Sequence, residues 1–124
     1  MLKELTDLCG VSGNEDSVRK YIRQMVEPFC DSIKEDVLGN LIVHKKGKTE
    51  RKVMLCAHMD EVGLMVREIL PNGTLAFIPI GGIDPRILPS CEVMVHGKRE
   101  LLGVIGAKPP HLQTQGEDQK TLPI

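Results

Sequence analysis

The residues with the most chemistry in this chain stand close together. Between Lys52 and Gly63 it reads KVMLCAHMDEVG, with His58, Asp60 and Glu61 directly after five apolar or small residues. Neutral imidazole is a good ligand for zinc, cobalt or manganese, and a nearby carboxylate orients such a ligand and raises its basicity. In an extended segment His58 and Asp60 share one face while Glu61 points to the other, so the first two could serve one site. A blander reading uses the same residues: a buried strand ending in a polar turn, with His58 satisfied by a backbone carbonyl. A single His-x-Asp does not choose between the two.

An element must position this pair, and the run Val53-Met54-Leu55-Cys56-Ala57 is the candidate. A short continuous apolar run bounded by polar residues fits a strand buried on both faces. Burial stabilises by roughly 1.5–3 kcal/mol per large side chain, which predicts this strand as the centre of an α/β sheet. Ligands and chemistry gather at the carboxyl ends of such strands.

Upstream, Leu2, Leu5 and Leu8 predict a short helix that Gly10 ends. Ser12-Gly-Asn-Glu15 has the form of a capping box, in which a hydroxyl and a carboxylate take up free amides at a helix start. Val18, Ile22, Met25, Val26 and Phe29 then recur at helical spacing as one apolar stripe, with Met25 and Phe29 expected in the core and Pro28 at the end. From Ser32 the period becomes two: Ile33, Glu35 and Val37 lead to a turn at Leu38-Gly39-Asn40, and Leu41-Ile42-Val43 form a second strand. Lys45, Lys46, Lys48, Arg51 and Lys52 cluster around Gly47 as a solvated hairpin turn. They lack the interleaved aromatics that would stack nucleic-acid bases.

Downstream, residues 62–70 and 74–80 predict two strands joined through Asn72-Gly73, a strong hairpin signal. Residues 81–86 form a Gly- and Pro-rich loop, and residues 91–96 and 101–105 a further hairpin. Short strands at close spacing suggest a small β barrel or sandwich. From Lys108 onward almost nothing can enter a core, and disorder is expected. His44 reads as a surface strand residue, His96 as a hairpin end and His111 as solvent-exposed.

The 124 residues suit one average domain, and 41% hydrophobic with 27% charged residues is ordinary for a soluble protein. A net charge of −1 gives no general attraction to nucleic acid or to acidic membranes. No apolar run approaches the ~20 residues of a membrane span. The start lacks a secretory layout, which predicts a cytoplasmic protein. Cys9, Cys30, Cys56 and Cys91 are scattered without a CxxC pair, so reduced thiols are expected, with Cys9 and Cys56 as small core residues.

Several blocks coincide with one known family. AHMDEVGLMV at residues 57–66, GVSGNED at 10–16, DVLGNLIVHKKG at 36–47, PIGGIDPRIL at 79–88 and GVIGAKPPHL at 103–112 resemble the amino-terminal part of the tetrahedral metallo-aminopeptidases. This is the glutamyl/leucyl aminopeptidase family, some of whose members carry an endoglucanase label. The resemblance implies an α/β fold, with residues 1–66 as the amino-terminal part of a zinc-peptidase-like catalytic domain and residues 67–107 as part of an inserted β-barrel oligomerisation domain; residues 108–124 are left, on composition, as a tail expected to be disordered. It implies a binuclear peptidase with two divalent ions, zinc or cobalt, in which His58 is a metal ligand and Asp60 a catalytic-centre carboxylate supporting the metal. Peptides are the implied substrates and a homo-oligomer the implied assembly. The family's bridging aspartate, paired glutamates and closing histidine have no counterpart here, so this chain is expected to hold at most one metal weakly and to be inactive alone. Two other functions remain open: a non-catalytic assembly or binding module, and a glycosidase. The latter needs two carboxylates facing each other across a sugar, and the chain has no Trp, one Tyr and two Phe as sugar platforms.

Overall fold

The leucine-spaced start folds as α1 (Leu2–Thr6), and the apolar stripe that follows folds as α2 (Asp16–Val26), continued by a 3-10 turn over Glu27–Phe29 that contains Pro28. The computed structural model describes residues 2–107, and these divide into an amino-terminal unit that ends at Glu61 and a carboxyl-terminal unit that begins at Val62. The expected disorder of residues 108–124, and with it His111, lies outside the described residues.

The capping box is not formed. Glu15 occupies the N-cap position of α2 without a side-chain cap, its Oε1 instead accepting from the Gly13 amide at 2.6 Å. Ser12 has turned its hydroxyl to a residue far along the chain, described below. A local capping signal yields here to a long-range hydrogen bond.

The stripe on α2 is buried only at its first turn. Val18 is 6% exposed, whereas Met25 and Phe29, expected in the core, are exposed. Beside α2 lies a hairpin of β1 (Ser32–Glu35) and β2 (Leu41–His44), antiparallel with Ile33 opposite Val43. Two strands of four residues cannot cover three turns of helix. The hairpin is tied to α2 through Arg19, whose Nε donates to the Gly39 carbonyl at 2.7 Å while Nη1 lies 3.3 Å from Glu35. Its turn is built by Asp36. Oδ1 accepts from the amides of Leu38 (3.0 Å) and Asn40 (2.9 Å), Oδ2 accepts from Asn40 Nδ2 (2.8 Å), and Gly39 takes the positive φ of +82° that the turn requires.

The largest departure concerns residues 53–57. They form no strand, and Val53, Met54 and Leu55 are 87%, 84% and 93% exposed; Cys56 is exposed too. A central strand exists only by virtue of neighbours on both edges and both faces, and among the described residues none pairs with this run. For the same reason the basic segment around Gly47 is an irregular exposed connection, not a hairpin turn.

In the carboxyl-terminal unit β3 (Gly63–Ile69) and β4 (Leu75–Ile80) pair antiparallel, with a bulge at Arg67 between the Val66 and Glu68 positions. The Asn-Gly turn forms as its chemistry predicts: Asn72 Oδ1 accepts from the Thr74 amide at 3.1 Å, and Gly73 has φ +84°. A 3-10 turn over Pro85–Ile87 follows, capped by Asp84, and then β5 (Glu92–His96) pairs with β6 (Glu100–Val104). The two hairpins remain separate two-stranded sheets. The expected small β barrel or sandwich is not shown: among the described residues no ladder joins the four strands into one sheet.

Candidate functional site

The amino-terminal unit holds two stretches side by side, residues 10–12 and residues 58–61. They are joined by an isolated parallel bridge between Val11 and Glu61. The Glu61 amide donates to the Gly10 carbonyl at 2.7 Å and the Ser12 amide to the Glu61 carbonyl at 3.3 Å. The Glu61 side chain adds a third tie, its Oε1 accepting from the Gly10 amide at 3.0 Å. Gly10 is a glycine for a steric reason: a Cβ there would stand 2.8 Å from Val18 Cγ2 and 3.2 Å from the Met59 carbonyl oxygen.

This clamp brings the predicted pair together. His58 Nδ1 lies 2.9 Å from Asp60 Oδ1 and 3.1 Å from the Asp60 carbonyl oxygen. Both partners are acceptors, so Nδ1 is the nitrogen that carries the proton, and in the neutral ring Nε2 is left unprotonated. The metal reading and the bland reading thus coexist in one geometry. Asp60 Oδ2 accepts from the Ser12 hydroxyl at 2.5 Å. Those two hydrogen bonds, first that from Ser12 and then that with His58, hold the Asp60 carboxyl below the usual carboxylate range. Glu61 faces a different partner, the Gly10 amide, although residues 58–60 form no strand.

Beside the pair is an open pocket of about 230 Å³, lined by Leu5, Leu8, Val18 and Ile22 on its apolar side and by His58, Asp60 and Glu61 on its polar side. Among the described residues no three His, Cys, Asp or Glu side chains converge as a metal cage. His44 ends β2, and His96 lies 3.5 Å from Glu100 across the β5–β6 turn. The donor set therefore fits one imidazole ligand with its orienting carboxylate, and does not fit a complete two-metal centre. Ser12 and Glu61 were not legible as partners of this site from spacing. They lie 48 and 51 residues from the groups they bind, and no local pattern spans that distance.

Comparison with known proteins adds what geometry alone does not. The sequence pattern described as M42 glutamyl aminopeptidase matches residues 39–124 of this chain. The chain belongs to that family. A second pattern, described as AMPT, matches residues 1–20. The lysyl aminopeptidase of Pyrococcus furiosus is 39% identical over 121 residues, covering 96% of this chain and 35% of that protein. Among solved structures, one titled an endoglucanase from Thermotoga maritima matches with a TM-score of 0.79 at 47% identity, over 89% of this chain and 35% of that one. The Pyrococcus horikoshii TET1 peptidase, described as able to assemble into a tetrahedron or a large octahedral shell, matches with a TM-score of 0.76 at 43% identity. It covers 98% of this chain and 36% of that one. The M42 chain thus has an α/β fold shared with these proteins and spans about a third of the length of each. No helix among its described residues is long and apolar enough to cross a membrane.

Proposed function

We propose that this chain carries part of the active centre of an M42 aminopeptidase that removes amino-terminal residues from peptides. His58 would supply one ligand to a pair of divalent ions, zinc or cobalt, and Asp60 would hold its ring. The observation that supports this is the His58–Asp60 contact at 2.9 Å, with Nδ1 taken up by acceptors and Nε2 left unprotonated. An imidazole whose far nitrogen is bound by a carboxylate is the usual form of a histidine ligand. Divalent ions in such a centre polarise the scissile carbonyl and lower the pKa of water. The chain's own contribution is orientation and charge: the Asp60 carboxylate, kept ionised by Ser12 and His58, favours the ligand tautomer of the ring. No three His, Cys, Asp or Glu side chains converge at His58 among the described residues, and catalytic zinc normally has three protein ligands. Alone, the 124-residue chain is therefore proposed to be inactive and to hold at most one ion weakly.

The whole protein is proposed to be a homo-oligomer, as is described for the Pyrococcus horikoshii TET1 peptidase. Exposed apolar side chains on β3 and β6, Ile69 and Leu102 among them, are consistent with a covered face. Sedimentation of the chain tests this, and a clean monomer at high concentration counts against it. The glycosidase reading has little support, because Asp60 and Glu61 are committed to different partners. In the whole protein, His58→Ala should remove one metal and nearly all peptidase activity, and Asp60→Asn should cost ~10–100-fold in metal affinity or activity. Full activity in His58→Ala on amino-acid anilides, with unchanged metal content, ends the assignment.

A further inference from the structure

We propose that Ser12 is a positioning residue for this site: its hydroxyl fixes the Asp60 carboxylate, and through it the tautomer and orientation of His58. The case begins with what does not hold His58. Its side chain is 86% exposed, so packing does not fix the ring, and Asp60 is itself 41% exposed. An exposed aspartate rotates between several orientations, only some of which present an oxygen to Nδ1. Here each carboxylate oxygen has its own partner, His58 Nδ1 on Oδ1 and the Ser12 hydroxyl on Oδ2, so the plane of the group is defined at two points.

Backbone hydrogen bonds anchor Ser12 and Asp60 alike, since the Glu61 amide that follows Asp60 donates to the Gly10 carbonyl at 2.7 Å. The Ser12 amide donates to the Glu61 carbonyl, the neighbouring Val11 forms the bridge to Glu61, and Gly13 at φ +88° turns the chain immediately afterwards. The hydroxyl is thus carried on a stretch whose backbone is tied to that of Asp60–Glu61, which brings it within reach of the Asp60 carboxylate. The same loop explains why Ser12 caps no helix: it cannot serve α2 and Asp60 at once. The consequence for metal binding rests on the reading of His58 as a ligand, but the effect on the ring does not.

The test uses the 124-residue chain with 15N-labelled histidine, free of metal and at a pH where the ring is neutral. Two-bond proton–nitrogen correlations report which nitrogen of His58 is protonated. The expected result is an Nδ1-protonated ring in the wild type, a mixture of tautomers in Ser12→Ala and Ser12→Val, and return of the wild-type pattern in Ser12→Thr, which keeps the hydroxyl. Backbone amide signals of Val11 and Glu61 confirm in each variant that the bridge is intact. The proposal is overturned if Ser12→Ala keeps the wild-type tautomer, or if Ser12→Thr and Ser12→Val behave alike. Zinc titration of the same samples should perturb Nε2, with Ser12→Ala weakened by less than the ~10–100-fold expected for losing the carboxylate itself. If zinc affects His58 in no variant, the metal reading fails while the tautomer data still decide the role of Ser12.

Discussion

Gly10→Ala should loosen the whole amino-terminal unit, and the size of the effect follows from two contacts. The new Cβ would meet Val18 Cγ2 at 2.8 Å and the Met59 carbonyl oxygen at 3.2 Å. Neither neighbour gives way easily. Val18 is a β-branched residue on a helix, with one preferred rotamer, and it is the buried residue of α2. Met59 is backbone, lying between His58 and Asp60. Overpacking of this kind costs ~1–3 kcal/mol. Replacing glycine also removes freedom from the unfolded chain, which returns ~0.4–1 kcal/mol. The net expectation is a loss of about 1–2 kcal/mol, a large fraction for so small a core. With a urea dependence of about 1 kcal/mol/M, the midpoint should fall by roughly 1–2 M. Tyr21 is the chain's one tyrosine and there is no tryptophan, so tyrosine fluorescence follows α2 alone. Gly47→Ala is the control: nothing lies closer than 4.0 Å to its Cβ, and it should be neutral or slightly stabilising. Equal midpoints for the two variants would refute the packing argument.

Two further perturbations probe the β1–β2 hairpin. Gly39→Ala combines a φ of +82° with a Cβ placed 2.5 Å from Arg19 Nη2, and the backbone strain alone should cost ~1–2 kcal/mol in the same fluorescence assay; an unchanged midpoint would contradict it. The turn should also be sensitive to acid. Asp36 is held below its ordinary value of 3.8 by the Asn40 side-chain amide first, then by backbone amides of Asn40, Leu38 and Gly39. A depressed folded pKa means that the stabilisation is present above 3.8 and disappears as pH falls through the lower folded value. Amide shifts of Leu38 and Asn40 followed from pH 6 downward should report this transition, and Asp36→Ala should abolish it; an identical transition in that variant would reassign it to another carboxylate.

What was legible in the sequence depended on how local its cause was. The Asn72-Gly73 hairpin and the helical stripe from Val18 are specified within a few residues of themselves, and both form where periodicity put them. The contact of His58 with Asp60 is also local, two residues apart, although the strand expected to present them is not formed. Ser12 and Glu61 are the opposite case. A serine three residues before a glutamate reads as a capping box until its hydroxyl finds a carboxylate 48 residues along the chain, and only the fold reveals that competitor. Met25 and Phe29 were misjudged for a related reason: amphipathic spacing says which face of a helix seeks burial, not whether anything is there to bury it.

Residues 53–57 carry that distinction furthest. Their composition is that of a strand covered on both sides, yet Val53, Met54 and Leu55 stand in solvent. The composition is not in conflict with the structure, because apolar content measures what burial would yield, roughly 1.5–3 kcal/mol for each large side chain, and not whether a covering surface exists. The consequence reaches the site directly, since this run leads without a break into His58. On its downstream side the His58–Asp60 pair is held by the Gly10, Val11 and Ser12 backbone and by the Ser12 hydroxyl. On its upstream side no ladder bond supports it among the described residues. A metal ligand must be held within about half an ångström to be useful. Among the described residues, the hydrogen bonds that brace the Asp60 side of the pair from another stretch come from residues 10–12, which is why the single hydroxyl of Ser12 should matter more here than one exposed hydrogen bond ordinarily does.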